Sequence, residues 1–158
     1  MLQVRLILTA GQFGIFPEPE LIAWLRAVPG RPGKILVVQP IEPLDSATMQ
    51  PRTFQSGELS IAPERIGEMI ELLHSIGFPD RVLEIDDTSD PESIWWAHVT
   101  LEVTLDDVSE HLEFSLGPEG VRGRDAASLK NIFRAMFQVV GIRSYWFELL
   151  GGGAEDGS

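Results

Sequence analysis

An alternation of apolar and polar side chains over residues 95–105 constrains the fold of this chain more than any other feature. Successive side chains of a β-strand point to opposite faces of the sheet. The pattern therefore predicts a long strand with one buried face and one solvent-facing face. The apolar phase consists of Trp95, Ala97, Val99, Leu101, Val103 and Leu105, and the other phase of Trp96, His98, Thr100, Glu102 and Thr104.

The same alternation resumes at Leu112, Phe114 and Leu116 after a short polar interval. Core-facing side chains must match across a ladder, which predicts an antiparallel hairpin with Val103 opposite Phe114 and Leu105 opposite Leu112. In that register the turn comprises residues 107–110, and Asp106 lies opposite His111.

Apolar or alternating runs predict four further strands, at residues 2–9, 34–38, 81–86 and 143–150. Residues 54–61 predict a short hairpin around Ser56-Gly57. Residues 40–53 contain three prolines and have no clear periodicity, so they are predicted to be irregular.

The spacing of apolar residues, together with residues that commonly begin or end helices, predicts three helices. The first covers residues 19–28, because Leu21, Trp24, Leu25 and Val28 recur at helical spacing after Pro19. The second begins at Pro63 and ends before Gly77, with a buried stripe of Ile66, Met69, Ile70, Leu73 and Ile76. The third is capped by Asp125, ends at Gly141, and buries Leu129, Ile132, Phe133, Met136 and Val140.

Helices interspersed with strands around a central hairpin predict an α+β fold. We expect a mixed, largely antiparallel sheet with three helices packed mainly on one face. Residues 1–150 are expected to form a single globular domain, and residues 151–158 a disordered C-terminal tail on the basis of their composition.

Residues 82–121 contain eleven acidic side chains and no lysine or arginine, and so supply -11 of the net charge of -12. A block of one sign within a foldable sequence creates a local electrostatic field. That field attracts basic partners and repels nucleic acid and anionic lipid, so neither nucleic-acid binding nor membrane binding is expected. Arg122, Arg124, Lys130, Arg134 and Arg143 follow the block and predict internal neutralisation or head-to-tail self-association.

Composition excludes several kinds of site. The chain contains no cysteine, so disulfides and thiolate metal ligands are excluded. We expect no signal peptide and a cytoplasmic location. The glycines of residues 11–14 lack the lysine of a phosphate loop. Residues 86–92 begin like a calcium loop, but Pro91 replaces its glycine and Ala97 its final glutamate. No cofactor is therefore expected.

One polar group on the predicted hairpin could support chemistry. Asp106, His111 and Glu113 could hold a divalent metal or provide a general base. A hairpin end is convex and solvated, however, and the interpretation as a polar, solvent-facing pleat carries more weight. We assign no catalytic and no metal-binding residue.

The sequence thus predicts a non-enzymatic acidic module that binds a basic protein partner, as immunity proteins and secretion chaperones do. One alternative is a small-molecule-binding domain or an enzyme with a carboxylate and histidine site. Another is a homo-oligomeric assembly subunit that uses Trp96 and Trp146 in its contact. The predicted partner-binding residues are Asp86, Asp87, Asp90, Glu92, Trp96, Asp106, Asp107, Glu110 and Glu113. With the long strand between them, the acidic residues are expected to form two separate patches.

Overall fold

The computed structural model describes residues 1–12, 18–40, 54–86, 95–116, 120–140 and 150. These residues form a six-stranded sheet with the strand order β4-β3-β2-β1-β5-β6, in which every neighbouring pair is antiparallel. In chain order the elements are β1 (Leu2–Gln12), β2 (Glu18–Ala27), β3 (Gly33–Pro40), β4 (Phe54–Ile61), α1 (Pro63–Ser75), β5 (Trp95–Leu105), β6 (Val108–Leu116) and α2 (Ala126–Val140).

Alternation along the central strands creates the core. The buried phase of these strands includes Leu2, Val4, Leu6 and Leu8 of β1 and Ala97, Val99, Leu101, Val103 and Leu105 of β5. We call this side of the sheet the inner face, and the opposite side the outer face. A Cβ atom added to Gly33 would lie 3.0 Å from Cδ1 of Ile66, so α1 packs on the inner face.

Both helices contribute an apolar stripe to the same core. Ile66, Met69 and Leu73 of α1 are buried, as are Leu129, Ile132, Phe133 and Met136 of α2. Gly77 follows α1 with a φ of 91°. This left-handed conformation lets Gly77 N–H and Phe78 N–H donate to the carbonyls of His74 and Leu73 at 3.0 and 3.1 Å. The described part of the chain contains no helix long and apolar enough to span a bilayer.

The α+β class is confirmed, but the prediction of three helices is wrong, because the described residues form two helices, α1 and α2. Residues 19–27 instead belong to strand β2. The buried residues are Leu21, Ala23, Leu25 and Ala27, which have strand periodicity, whereas Trp24 and Val28 are exposed. Pairing of β2 with β1 and β3 on its two sides overrides the helical spacing of the larger apolar residues.

Two smaller predictions are also wrong. Residues 54–61 form one uninterrupted strand rather than a hairpin, and this strand pairs with β3 along its whole length. Residues 81–86 form no strand. Their only ladder contact within the described residues is an isolated bridge between Asp86 and Arg122, because carboxylate side chains accept the N–H groups of Leu83 and Glu84.

Three predictions concern segments that lie wholly or mostly outside the described residues. Most of the predicted irregular segment and the predicted tail lie outside the described residues. So does the predicted final strand at residues 143–150, except for Leu150, which is buried and helical.

Candidate functional site: the acidic hairpin and the outer face of the sheet

The β5–β6 hairpin ends in a two-residue turn of consecutive aspartates. Asp106 and Asp107 have φ angles of 51° and 69°, and both side chains are exposed. Two successive positive φ angles are the signature of a type I′ turn, which fits the right-handed twist of the strands that it joins. Asn-Gly and Asp-Gly are favoured sequences for this turn. Aspartate therefore suits the first position, whereas Asp107 occupies the second position, where glycine is preferred.

The predicted hairpin is confirmed, and Val103 and Phe114 are both buried in the core as expected. Its predicted register and turn are wrong, since Leu105 pairs with Val108, and Val103 with Glu110. A shift of this kind keeps every side chain on its face, so alternation alone does not exclude it. As a result, His111 lies opposite Glu102 rather than Asp106.

Glu113 joins two histidines on the outer face of the hairpin. Its Oε1 lies 3.1 Å from Nε2 of His98 on β5, and its Oε2 lies 3.2 Å from Nε2 of His111. Hydrogen bonds from His98 and, second, from His111 lower the pKa of the Glu113 carboxyl. Among the described residues, no group of three or more histidines and carboxylates is arranged to hold a metal ion. The group is an exposed polar network on a sheet surface.

Glu110 occupies a different environment from the other predicted partner-binding residues. It lies on the core-facing phase of β6, where its Oε2 accepts a hydrogen bond from Leu83 N–H at 2.6 Å. Burial raises the pKa of the Glu110 carboxyl, and the hydrogen bond from Leu83 opposes that shift only in part. The Glu110 side chain therefore stabilises the position of residues 82–86 on β6.

The buried carboxylate of Asp125 also binds residues 82–86. Asp125, directly before α2, is 1% exposed. Its Oδ2 accepts Glu84 N–H at 2.7 Å and Arg124 at 3.0 Å, and its Oδ1 accepts Arg81 at 3.2 Å. Burial alone would raise the pKa of Asp125, but the hydrogen bonds from Arg124 and Glu84 N–H and the charges of both arginines lower it overall. The sequence suggests only a helix cap at this position.

Asp86 lies three residues after Leu83, which contacts Glu110 near the turn. Leu83 thus connects the start of the acidic block to β6, and the expected separation into two patches stays a prediction. The side chain of Asp86 is exposed, and its N–H donates to the Arg122 carbonyl at 2.8 Å. Asp87, Asp90 and Glu92 lie outside the described residues, as does the side chain of Trp96.

The chain matches no protein-family model and no curated protein.

The outer face of the sheet carries an apolar and basic region that the sequence does not predict, because the spacing of residues 19–28 predicts a helix. Trp24 is 38% exposed and Leu36 is 37% exposed, and the two lie opposite each other on β2 and β3. The guanidinium of Arg26 lies 5.2 Å from the ring centre of Trp24, within range of a cation–π interaction. With Arg31 and Lys34, these residues line an open cavity of about 500 Å³. The alternation of Leu21, Ala23, Leu25 and Ala27 is the sequence signal that places Trp24 outward.

Replacing Glu110 with glutamine should reduce the pH dependence of stability. A carboxyl whose pKa is raised by folding stabilises the protein most below its unfolded pKa, and this contribution is lost as pH rises through the folded value. The amide oxygen of glutamine still accepts Leu83 N–H. We therefore expect Glu110→Gln to be at least as stable as the unmodified protein at neutral pH, and to show a smaller loss as pH rises above 4.5.

Urea unfolding at a series of pH values measures this effect. Glu71→Gln on the exposed side of α1 is the matched control and should leave the pH profile unchanged. Identical profiles for Glu110→Gln and the unmodified protein would contradict the prediction.

Proposed function

We propose that this protein is a non-enzymatic module that binds a basic protein partner through the acidic end of the β5–β6 hairpin. The observation that carries the proposal is the pair of exposed aspartates, Asp106 and Asp107, at successive positive φ angles. Glycine, not aspartate, is the preferred second residue of this turn, and two adjacent carboxylates repel each other. We explain this pair of charges by a role outside folding.

Neighbouring acidic groups extend this surface. Asp86 and Glu84 are exposed beside the same edge of the sheet, and Glu113 is exposed on the outer face of β6. Arg122 and Arg124 lie among them, and Arg124 pairs with Glu84 at 3.9 Å. Both turn aspartates are exposed, and Asp106 Oδ1 lies 3.4 Å from the amino group of Met1. The charge of the turn can steer a basic partner toward the protein.

The alternative of a catalytic or small-molecule site has weaker support. The cluster of His98, Glu113 and His111 is the best candidate for such chemistry, but it lies on the open outer face of the hairpin. Neither of the two cavities described contains any of these residues.

The double substitution Asp106→Asn with Asp107→Gly tests the proposal, because it removes both charges and creates the preferred turn sequence. We expect stability to rise by about 1 kcal/mol. Association with the partner should become about threefold to tenfold slower at low salt, with a flatter salt dependence.

The partner is first isolated from the source cell by a pull-down eluted with salt and identified by mass spectrometry. Association rates are then measured by stopped flow over a range of salt concentrations. Glu68→Gln with Glu71→Gln removes the same charge from the exposed side of α1 and should leave the rate nearly unchanged. An unchanged rate for the turn variant, or an equal effect of the control, would show that the turn does not steer a partner.

A further inference from the structure

Exposed apolar side chains are concentrated at the open cavity of about 500 Å³ beside β2 and β3. The described part of the chain exposes seven large hydrophobic residues, and four of them line this cavity. These four are Met1, Trp24, Val28 and Leu36. Single exposed hydrophobic residues are ordinary on a protein surface, whereas a group of them in a concavity commonly marks a binding site.

The same cavity has more basic than acidic side chains. Arg26, Arg31 and Lys34 line it, and Glu58 is the one carboxylate among its lining residues. The chain as a whole has the opposite ratio, with 24 acidic and 12 basic residues. Lys34 pairs with Glu58 at 3.7 Å, but within the described residues neither Arg26 nor Arg31 has a carboxylate partner. Two guanidinium groups are therefore available to an anion.

The guanidinium of Arg26 is positioned by an aromatic ring. It lies 5.2 Å from the ring centre of Trp24, within range of a cation–π interaction. Stacking of this kind restricts the long arginine side chain and leaves the N–H groups at the edge of the guanidinium able to donate. Less conformational entropy is then lost when Arg26 binds an anion.

The backbone at Arg31 is fixed by the turn that joins β2 to β3. Arg31 N–H donates to the Val28 carbonyl at 3.1 Å, and Gly30 has a φ of 81°. Proline followed by glycine at positive φ is typical of a type II turn, and residues 28–31 have the sequence Val-Pro-Gly-Arg. The sequence of this turn therefore places Arg31 at the rim of the cavity.

We propose that this cavity binds a small amphipathic carboxylate, whose oxygens accept hydrogen bonds from Arg26 and Arg31 and whose apolar body contacts Trp24. The planar guanidinium group matches the two oxygens of a carboxylate. The exposed apolar lining favours a ligand with an apolar body over an inorganic anion. A volume of about 500 Å³ is within the range of pockets that hold small organic ligands. The site differs from the acidic turn, which attracts cations.

Phenylacetate is the probe that tests the site, because it combines one carboxylate with one planar apolar ring. We expect saturable binding with a Kd of about 1 mM, which is ordinary for a ligand of this size. Phenylacetamide has the same shape without the charge and should bind at least about tenfold more weakly. Inorganic phosphate at an equal concentration should not displace phenylacetate. Proton–nitrogen NMR follows binding at the indole N–H of Trp24, whose signal is identified by its absence in Trp24→Phe.

Substitutions at the lining residues test the assigned contacts. Arg26→Gln and Arg31→Gln should each weaken phenylacetate binding about tenfold, since each removes a charged donor. Glu58→Gln should strengthen binding about threefold, because it removes the carboxylate of the cavity and releases Lys34. Lys130→Gln on α2 is the matched control, since it removes one positive charge outside the cavity and should leave the Kd unchanged.

Circular dichroism confirms that each variant is folded, and a gain in affinity for Glu58→Gln is a result that loss of structure cannot produce. Absence of saturable phenylacetate binding would overturn the proposal, as would an equal affinity for phenylacetamide. Displacement by an equal concentration of inorganic phosphate would show that the cavity recognises charge alone, and would also overturn it. A Kd that neither arginine substitution weakens would have the same consequence.

Discussion

Replacing Asp125 with alanine should lower the free energy of unfolding by about 3 kcal/mol, since it leaves the partly buried Glu84 N–H without its acceptor and removes an acceptor from Arg81 and Arg124. The Asp125 carboxylate is 1% exposed and accepts hydrogen bonds from Glu84 N–H, Arg81 and Arg124. Both arginines are half-exposed, at 50% and 40%, so water compensates part of their loss. The unsatisfied Glu84 N–H and the vacated space account for most of the expected effect.

Chemical denaturation at neutral pH measures this loss. Glu84→Ala is the matched control in the same cluster, because its exposed carboxylate meets Arg124 only at 3.9 Å. A surface pair of this kind contributes at most about 1 kcal/mol. A cost for Asp125→Ala no greater than that for Glu84→Ala would show that the buried carboxylate does not hold residues 82–86 in place.

The stability of Asp125→Ala should also depend on pH differently from that of the unmodified protein. The pKa of Asp125 is lowered by folding, so its contribution is present above the unfolded value of 3.8 and is lost as pH falls through the folded value. Asp125→Ala should therefore lose part of the acid sensitivity of the unmodified protein. Glu110 contributes with the opposite sign, because folding raises its pKa.

The strongest periodicity in the sequence predicts its segment correctly. The alternation of residues 95–105 continues through eleven positions, and β5 pairs with β1 on one side and β6 on the other. Residues 21–28 satisfy two periodicities at once. The larger residues Leu21, Trp24, Leu25 and Val28 have helical spacing, whereas the buried set includes the small Ala23 and Ala27. Tertiary pairing decides between them, and a local pattern carries no information about that pairing.

The sequence also predicts the candidate sites only in part. Acidic composition identifies the hairpin end, but alternation does not determine its register, which depends on whether Asp106 and Asp107 adopt positive φ. The contact between Asp125 and Glu84 joins residues 41 positions apart and has no local sequence signal. Glu113 lies on the polar phase in either register, whereas Glu110 belongs to the predicted turn and joins the core-facing phase because β6 begins at Val108.

Gly123→Ala should destabilise the protein by about 3 kcal/mol or more, because the added Cβ has no space and the backbone does not suit it. Gly123 has a φ of +129°, and its Cβ would lie 2.8 Å from Asp86 N and 3.0 Å from Ile85 Cα. These are backbone atoms, so relief requires residues 84–86 to move away. That movement would break the hydrogen bonds from Asp86 N–H to the Arg122 carbonyl, at 2.8 Å, and from Glu84 N–H to Asp125, at 2.7 Å.

Gly57→Ala is the matched control, since its Cβ would meet nothing within 4 Å on the edge strand β4. Alanine at an unstrained position reduces the entropy of the unfolded chain, so this variant should be neutral or more stable by up to about 1 kcal/mol. Thermal and urea unfolding compare the two variants. Hydrogen exchange adds a local test, because the amides of Glu84 and Asp86 should lose protection only in Gly123→Ala. Equal stability of the two variants would mean that residues 84–86 can move at little cost in free energy. The close packing around Asp125 would then not be a fixed part of the fold.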